Sequence, residues 1–394
     1  MTESTPQALV DFAPALRLAL LAAVMALVPL AWVWLRRGGD GTNAASRRLA
    51  SLTALTLFLT FDLVVFGSFT RLTDSGLGCP DWPGCYGQVS PLGAASEIGA
   101  AEAAAPGGKV TWHKAWIEMI HRYLAMTVGV LILVMAAASW RQHWRAGKHR
   151  FGDDQDRPPI SPWWPTLTLA WVIVQGLFGK YTVTLKLYPA VVTLHLLGGL
   201  ALLALLAVQH AAFSQRRMAI ASGLRTGVMV TLAVLAVQIA LGGWVSTNVA
   251  VLACTGFPQC NGQWWPQMSG EGFAPLRELG HATDGSGLRL EAMVGIHMAH
   301  RLFAIVAALA LSALAWALWR SGGDGRRFGA WLAVLLVLQL ASGLSNVVLG
   351  WPLVAALAHS AGAAALVLLL SLLLARSAAP RHAGVSARLG TLAA

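Results

Sequence analysis

Glu118 and His121 stand three residues apart in the run I-E-M-I-H-R-Y-L-A, which spans residues 117–125. On a helix that spacing puts both side chains on one face. The apolar stretch around them, residues 116–138, is long enough to cross a bilayer. An ionised group at mid-membrane costs about 2.5–3.5 kcal/mol on an insertion scale, so a carboxylate and an imidazole there point to function before packing. The phrase returns at residues 296–304 as I-H-M-A-H-R-L-F-A, with His300 in the place of His121 and His297 in the place of Glu118.

Five of the eleven histidines fall inside apolar runs: His121, His195, His297, His300 and His359. His143, His149, His210 and His382 sit at the ends of runs beside arginines, and His113 and His281 lie in or next to loops, where a solvated role is expected. At 1.5 Å per helical residue, His121, His195, His300 and His359 lie roughly 9–17 Å from one and the same membrane face. A lone histidine of this kind is usually a packing residue. Four at matching depth on four spans are better explained as two facing pairs, each able to hold a haem iron from both sides. Zinc fits less well, because it wants a tetrahedral set helped by cysteine or carboxylate. Gly198 and Gly362 each follow a histidine by three residues, and Ala125 and Ala304 by four. Small residues there would leave room for a macrocycle, although they also suit plain helix packing.

The elements that must position these groups follow from composition. Of 394 residues, 56% are hydrophobic and only 11% charged, less than half the charge of a soluble chain, so the protein is all-α and polytopic in a membrane. The formal charge of +11 sits in short segments between apolar runs and not on one face, which argues against nucleic acid. Nine spans are expected, near residues 14–35, 50–71, 112–139, 163–184, 189–212, 224–247, 289–319, 327–349 and 352–376. Arginine and lysine concentrate in alternate segments (Arg36, Arg37, Arg47 and Arg48; Arg141, Arg145, Lys148, Arg150 and Arg157; Arg216 and Arg217; Arg320 and Arg326; Arg376, Arg381 and Arg388). The positive-inside rule then puts the N-terminus outside and the C-terminus in the cytoplasm. The first span, with Arg17 and Pro29, carries no expected chemistry.

The other eight spans read as two parallel four-helix repeats. The turn from Gly67 to Gln88 matches that from Gly243 to Gln263; Gln175-x3-Gly179 matches Gln339-x3-Gly343; and the stretch around His195 matches that around His359. The divisions expected are an extra span and loop (1–49), a first repeat (50–212), a linker (213–223), a second repeat (224–376) and a tail (377–394). Segments 89–109 and 266–288 read as flexible excursions.

All four cysteines lie in the outer turns as C-x5-C pairs, Cys79/Cys85 and Cys254/Cys260. The first reading is two local disulfides bracing the turns; the sharper one is a thiol pair passing electrons inward. Glu118 separates the halves. An electron carrier needs no carboxylate beside one haem, whereas a haem that is itself modified needs a proton donor or acceptor near the reacting carbon. His297, in the matched place, reads as a hydrogen-bonding neighbour of the second haem and not a ligand. Arg71, Lys180 and Lys186, at the outer edge, are candidates to pair with haem propionates.

The turn D-S-G-L-G-C-P-D-W-P-G-C ending at Cys85, E118-M-I-H121-R, V-V-T-L-H195, H297-M-A-H300-R and the late His359 together resemble the haem A synthase family across residues 50–376. The resemblance implies oxidation of the C8 methyl of haem O to the formyl of haem A. It implies that His121 and His195 hold the substrate haem, that His300 and His359 hold a haem b, that Glu118 is the catalytic carboxylate, and that Cys79 and Cys85 are the family's outer-loop pair. The location implied is the bacterial inner membrane. The partners implied are haem O and haem A, a haem O synthase, cytochrome oxidase assembly factors and a second copy of the chain; the electron donor stays open. The extra first span departs from the family's eight-span pattern. The competing readings are a bis-histidine membrane cytochrome b between a quinol and an outer acceptor, and a parallel-repeat transporter without cofactor.

Overall fold

The computed structural model describes residues 13–36, 42–148, 160–214 and 217–377. Arg37, His149, Arg150, Arg157, Arg216, Arg381, His382 and Arg388, and with them the ends of the chain, lie outside the described residues. The described chain is helical, with α1 (Ala13–Arg36), α2 (Thr42–Leu72), α3 (Ala95–Ala104), α4 (Trp112–Lys148), α5 (Trp163–Thr184), α6 (Pro189–Ser214), α7 (Ser222–Thr247), α8 (Leu290–Arg320), α9 (Gly323–Val348) and α10 (Leu353–Arg376). Eight of these are long and apolar enough to cross a membrane. The ninth long helix, α5, has 22 residues but is diluted by Gln175, Lys180 and four threonines, and it packs between α4 and α6.

Two closed rings of helices make up the body. Helix α2 packs on α4, α4 on α5, α5 on α6, and α6 back on α2; α7, α8, α9 and α10 close in the same order. The rings meet along a seam where α6 touches both α7 and α10, and α10 touches α2. The apolar core runs through this seam, with Leu203, Leu206, Leu366 and Leu370 fully buried. Three hydroxyls inside it are paired within their own helix: those of Thr53, Thr56 and Thr60 each donate to the carbonyl four residues earlier, at 2.9, 2.8 and 2.7 Å. Helix α1 lies outside the rings, against α4 and α2. Part of the linker is tied down, since the Met218 N–H donates to the Arg376 carbonyl at the end of α10.

Both segments read from the sequence as flexible excursions are ordered instead. Residues 91–94 form a 3-10 turn that runs into α3. Alanine is the strongest helix former, Glu97 favours the first turn, and Ile98 is fully buried against Ala115 and Met119, which supplies an anchor that composition alone hides. The second segment holds the 3-10 turn Gly270–Phe273 and is pinned by Arg277, whose guanidinium donates to the Gly272 carbonyl at 2.8 Å and to the Asn248 side chain.

Candidate functional site

Each of the four matched histidines lies with its ring over a glycine of the preceding helix in its ring of four. An added Cβ on Gly67 of α2 would stand 3.0 Å from Nε2 of His121, and one on Gly179 of α5 would stand 3.7 Å from Cε1 of His195. In the other ring, Gly242 of α7 and Gly343 of α9 would approach Cε1 of His300 and of His359 to 2.9 and 3.0 Å. At Gly67, Gly242 and Gly343 glycine is required for close approach, not for a turn, whereas a methyl at Gly179 would make an ordinary contact. Each imidazole is thus seated edge-on against bare backbone.

The two rings on α8 and α10 form a pair. His300 and His359 have centroids 6.5 Å apart with planes at 81°. His300 and His359 would hold a haem iron between them, which when bound supplies one-electron transfer. In the other half, His121 lies parallel to Phe66 at 6.4 Å. The Nδ1 of His195 is buried without a partner. Among the described residues, no three His, Cys, Asp or Glu side chains converge on one point; the half-buried His300 and His359 face each other as a pair. That donor set, with no side chain between each ring and its glycine, fits a haem iron held from both sides.

Gly198 and Gly362 do not face open room. A Cβ on Gly198 would fall 2.0 Å from Nε2 of Gln175, and one on Gly362 would fall 2.3 Å from Oε1 of Gln339. The space that a sequence reading offers to a macrocycle is filled by a glutamine from α5 and from α9, because those positions face the neighbouring helix.

Glu118 is 4% exposed and fully engaged. Its Oε2 accepts from the Cys79 N–H at 2.8 Å, and its Oε1 accepts from Nη2 of Arg122, one turn on, at 2.5 Å. Arg122 also donates from Nη1 to the carbonyls of Asp81 at 2.9 Å, Pro83 at 3.2 Å and Gly84. The carboxylate is therefore fastened both to its own helix and to the turn closed by the Cys79–Cys85 disulfide. Arg301 makes the matching clamp, to the carbonyls of Cys254 at 3.0 Å and Gln259 at 3.2 Å, over the Cys254–Cys260 disulfide. Where Glu118 would stand, His297 turns Nδ1 to the Ala250 carbonyl at 3.0 Å. Arg122 and Arg301 were visible only as the residue after each histidine; their role needed the turn folded back onto the helix.

At the edge, Arg71 is half-buried and donates to the Ser246 carbonyl at 2.7 Å, joining α2 to α7. Lys180 lies 5.9 Å from the Trp82 ring, and Lys186 is exposed. Of the remaining histidines, His113, His143 and His281 are exposed. His210 differs from the solvated role expected of it: its Nδ1 is buried without a partner inside α6.

These features define an all-α, polytopic membrane protein with a histidine pair in each of two helical rings and a single fastened carboxylate beside one pair. Residues 50–371 match the family of the cytochrome oxidase assembly protein, and the chain belongs to that family. It is 37% identical to the haem A synthase of Shewanella oneidensis over 328 residues, 82% of this chain and 94% of that relative. It is 30% identical to the haem A synthase of Rhizorhabdus wittichii over 356 residues, 83% and 92% of the two chains. With the haem A synthase of Shouchella clausii it shares 30% over 276 residues, 68% and 74%.

Proposed function

We propose that this chain is a haem A synthase, an oxidoreductase that converts the C8 methyl of haem O to a formyl group. The observation that carries the reading is the difference between matched positions: Glu118 and His297 occupy the same place beside His121 and His300, under the same arginine clamp and the same disulfide turn. A pair of identical electron-carrying sites gives no reason for that difference. A site that changes its haem beside one that only relays electrons does.

On this reading His121 and His195 hold the substrate, His300 and His359 hold a haem b, and the halves are copies of one four-helix unit. Haem b, when bound, supplies one-electron transfer. Oxidising a methyl carbon to a formyl takes in one oxygen atom, from water or dioxygen, and releases protons together with electrons that pass to an acceptor outside the site; Glu118 is the group to relay the protons. The Cys79 N–H and Arg122 hold its carboxylate in one orientation, and the ring of helices keeps bulk water from the reacting edge. His297 orders the second site without serving as a ligand. Arg71, Lys180 and Lys186 face the propionates, and the outer face of the membrane is the side on which both disulfide turns sit, with the C-terminus in the cytoplasm.

Pigment extracted after expression with a haem O supply tests the reading. Wild type yields formyl haem, and Glu118→Gln retains bound haem without making it. Haem extracted from wild type with no formyl product would favour the cytochrome b alternative.

A further inference from the structure

The two histidine pairs differ in what holds their second ring nitrogen. In the pair on α8 and α10, Nδ1 of His300 lies 3.1 Å from Nε2 of Gln238, and Nδ1 of His359 lies 3.2 Å from both the Gln339 carbonyl and the Ser342 hydroxyl, while the Gln339 amide stands 3.3 Å from Nε2 of His359, a contact that an iron there would displace. In the pair on α4 and α6, neither His121 nor His195 forms a hydrogen bond through its ring among the described residues, and His195 Nδ1 is buried without one. The difference has a cause in the sequence. Gln175, Gln238 and Gln339 each stand four residues before the glycine that seats a histidine, but the residue four before Gly67 is Leu63. Gln175, the glutamine at that position in the first ring, lies across Gly198 instead of against His195.

An imidazole that gives Nε2 to a metal carries its proton on Nδ1, and an acceptor there fixes the ring and raises its basicity. Oε1 of Gln238 is buried without a partner. As placed, Gln238 Nε2 also donates to the His300 carbonyl at 3.3 Å; turning the amide would give up that bond and bring Oε1 to 3.1 Å from Nδ1, where it would accept from the imidazole N–H of an iron-bound His300. The Gln339 carbonyl already plays this part for His359. We propose that Gln238 and Ser342 are positioning residues that make the second pair a permanent iron site, and that the lack of any such partner leaves the first pair free to release its haem. This rests on the haem reading above and adds to it a physical reason why one haem turns over and the other stays.

The test is haem transfer to excess apomyoglobin, with each site isolated by removing a ligand of the other. In a His121→Ala background, Gln238→Leu should speed haem loss about 10–100-fold and shift the reduction potential upward, while Gln238→Glu, which keeps an acceptor, restores slow loss. Ser342→Ala, which leaves the Gln339 carbonyl against His359 Nδ1, should speed haem loss by less than Gln238→Leu does. In a His300→Ala background, Leu63→Gln should slow haem loss from the first pair about tenfold. Unchanged rates and potential in Gln238→Leu and Ser342→Ala would overturn the positioning role and leave the haem reading standing. No low-spin haem signal in either background would overturn the haem reading itself, and this proposal with it.

Discussion

The Glu118 carboxylate accepts a hydrogen bond from the backbone N–H of Cys79 at 2.8 Å. A membrane helix and an outer turn are thereby joined through the one acid in the site, and the disulfide that shapes the turn also sets where the acid points. Cys79→Ser should therefore lower formyl haem yield at least tenfold while leaving haem content near wild type. Cys254→Ser, in the half without a carboxylate, should leave that chemistry in place. Pigment extraction paired with total haem content separates the two.

Arg122 is the counter-charge in that arrangement, and both partners are buried. Removing one member of a buried, hydrogen-bonded ion pair costs about 3–5 kcal/mol, because the other charge is left uncompensated. Arg122→Leu should destabilise the detergent-solubilised protein by that order and free the turn at residues 81–84. Arg122→Leu combined with Glu118→Gln should recover a good part of the loss. A denaturation series over the four proteins measures the coupling.

The glycine seats give a graded series. A methyl group at Gly242 would fall 2.9 Å from His300 and one at Gly343 would fall 3.0 Å from His359, whereas at Gly179 it would meet His195 at an ordinary 3.7 Å. Gly242→Ala and Gly343→Ala should each displace an imidazole and lose low-spin haem absorbance per protein. Gly179→Ala should keep most of it.

Arg71 joins the rings through the Ser246 carbonyl, at the edge where propionates would lie. Arg71→Ala should cut haem retention several-fold and lower product yield in proportion, as measured by haem content after size-exclusion chromatography. Unchanged retention and yield would remove Arg71 from the propionate set.

The helices and the cysteine pairs could be read from the chain because each rests on spacing within one segment. Apolar run length gives a span, and C-x5-C gives a local bridge. The glycine seats could not be read that way: Gly67 and His121 are 54 residues apart, and their meeting depends on which helices are neighbours. For the same reason Gly198 and Gly362 looked like room for a ligand until Gln175 and Gln339 were seen to occupy it. Helix α3 was hidden differently, since an Ala- and Gly-rich stretch resembles a linker until Ile98 finds a place to bury. Arg277, anchoring the second outer segment, has no sequence pattern to announce it; only the folded loop brings Asn248 and Gly272 to it.

The closure of α2 through α6 into a ring bears on how the protein is made. Within that ring every helix has its neighbours by residue 214, before any of α7 exists. A chain threading N-terminus first into the membrane can finish its first ring while the ribosome is still translating the second. The seam faces of α6 and α2 are then the template on which α7 and α10 assemble. A ribosome-stalled fragment long enough to bring residue 214 clear of the exit tunnel should already hold the Cys79–Cys85 bond and resist protease as a unit.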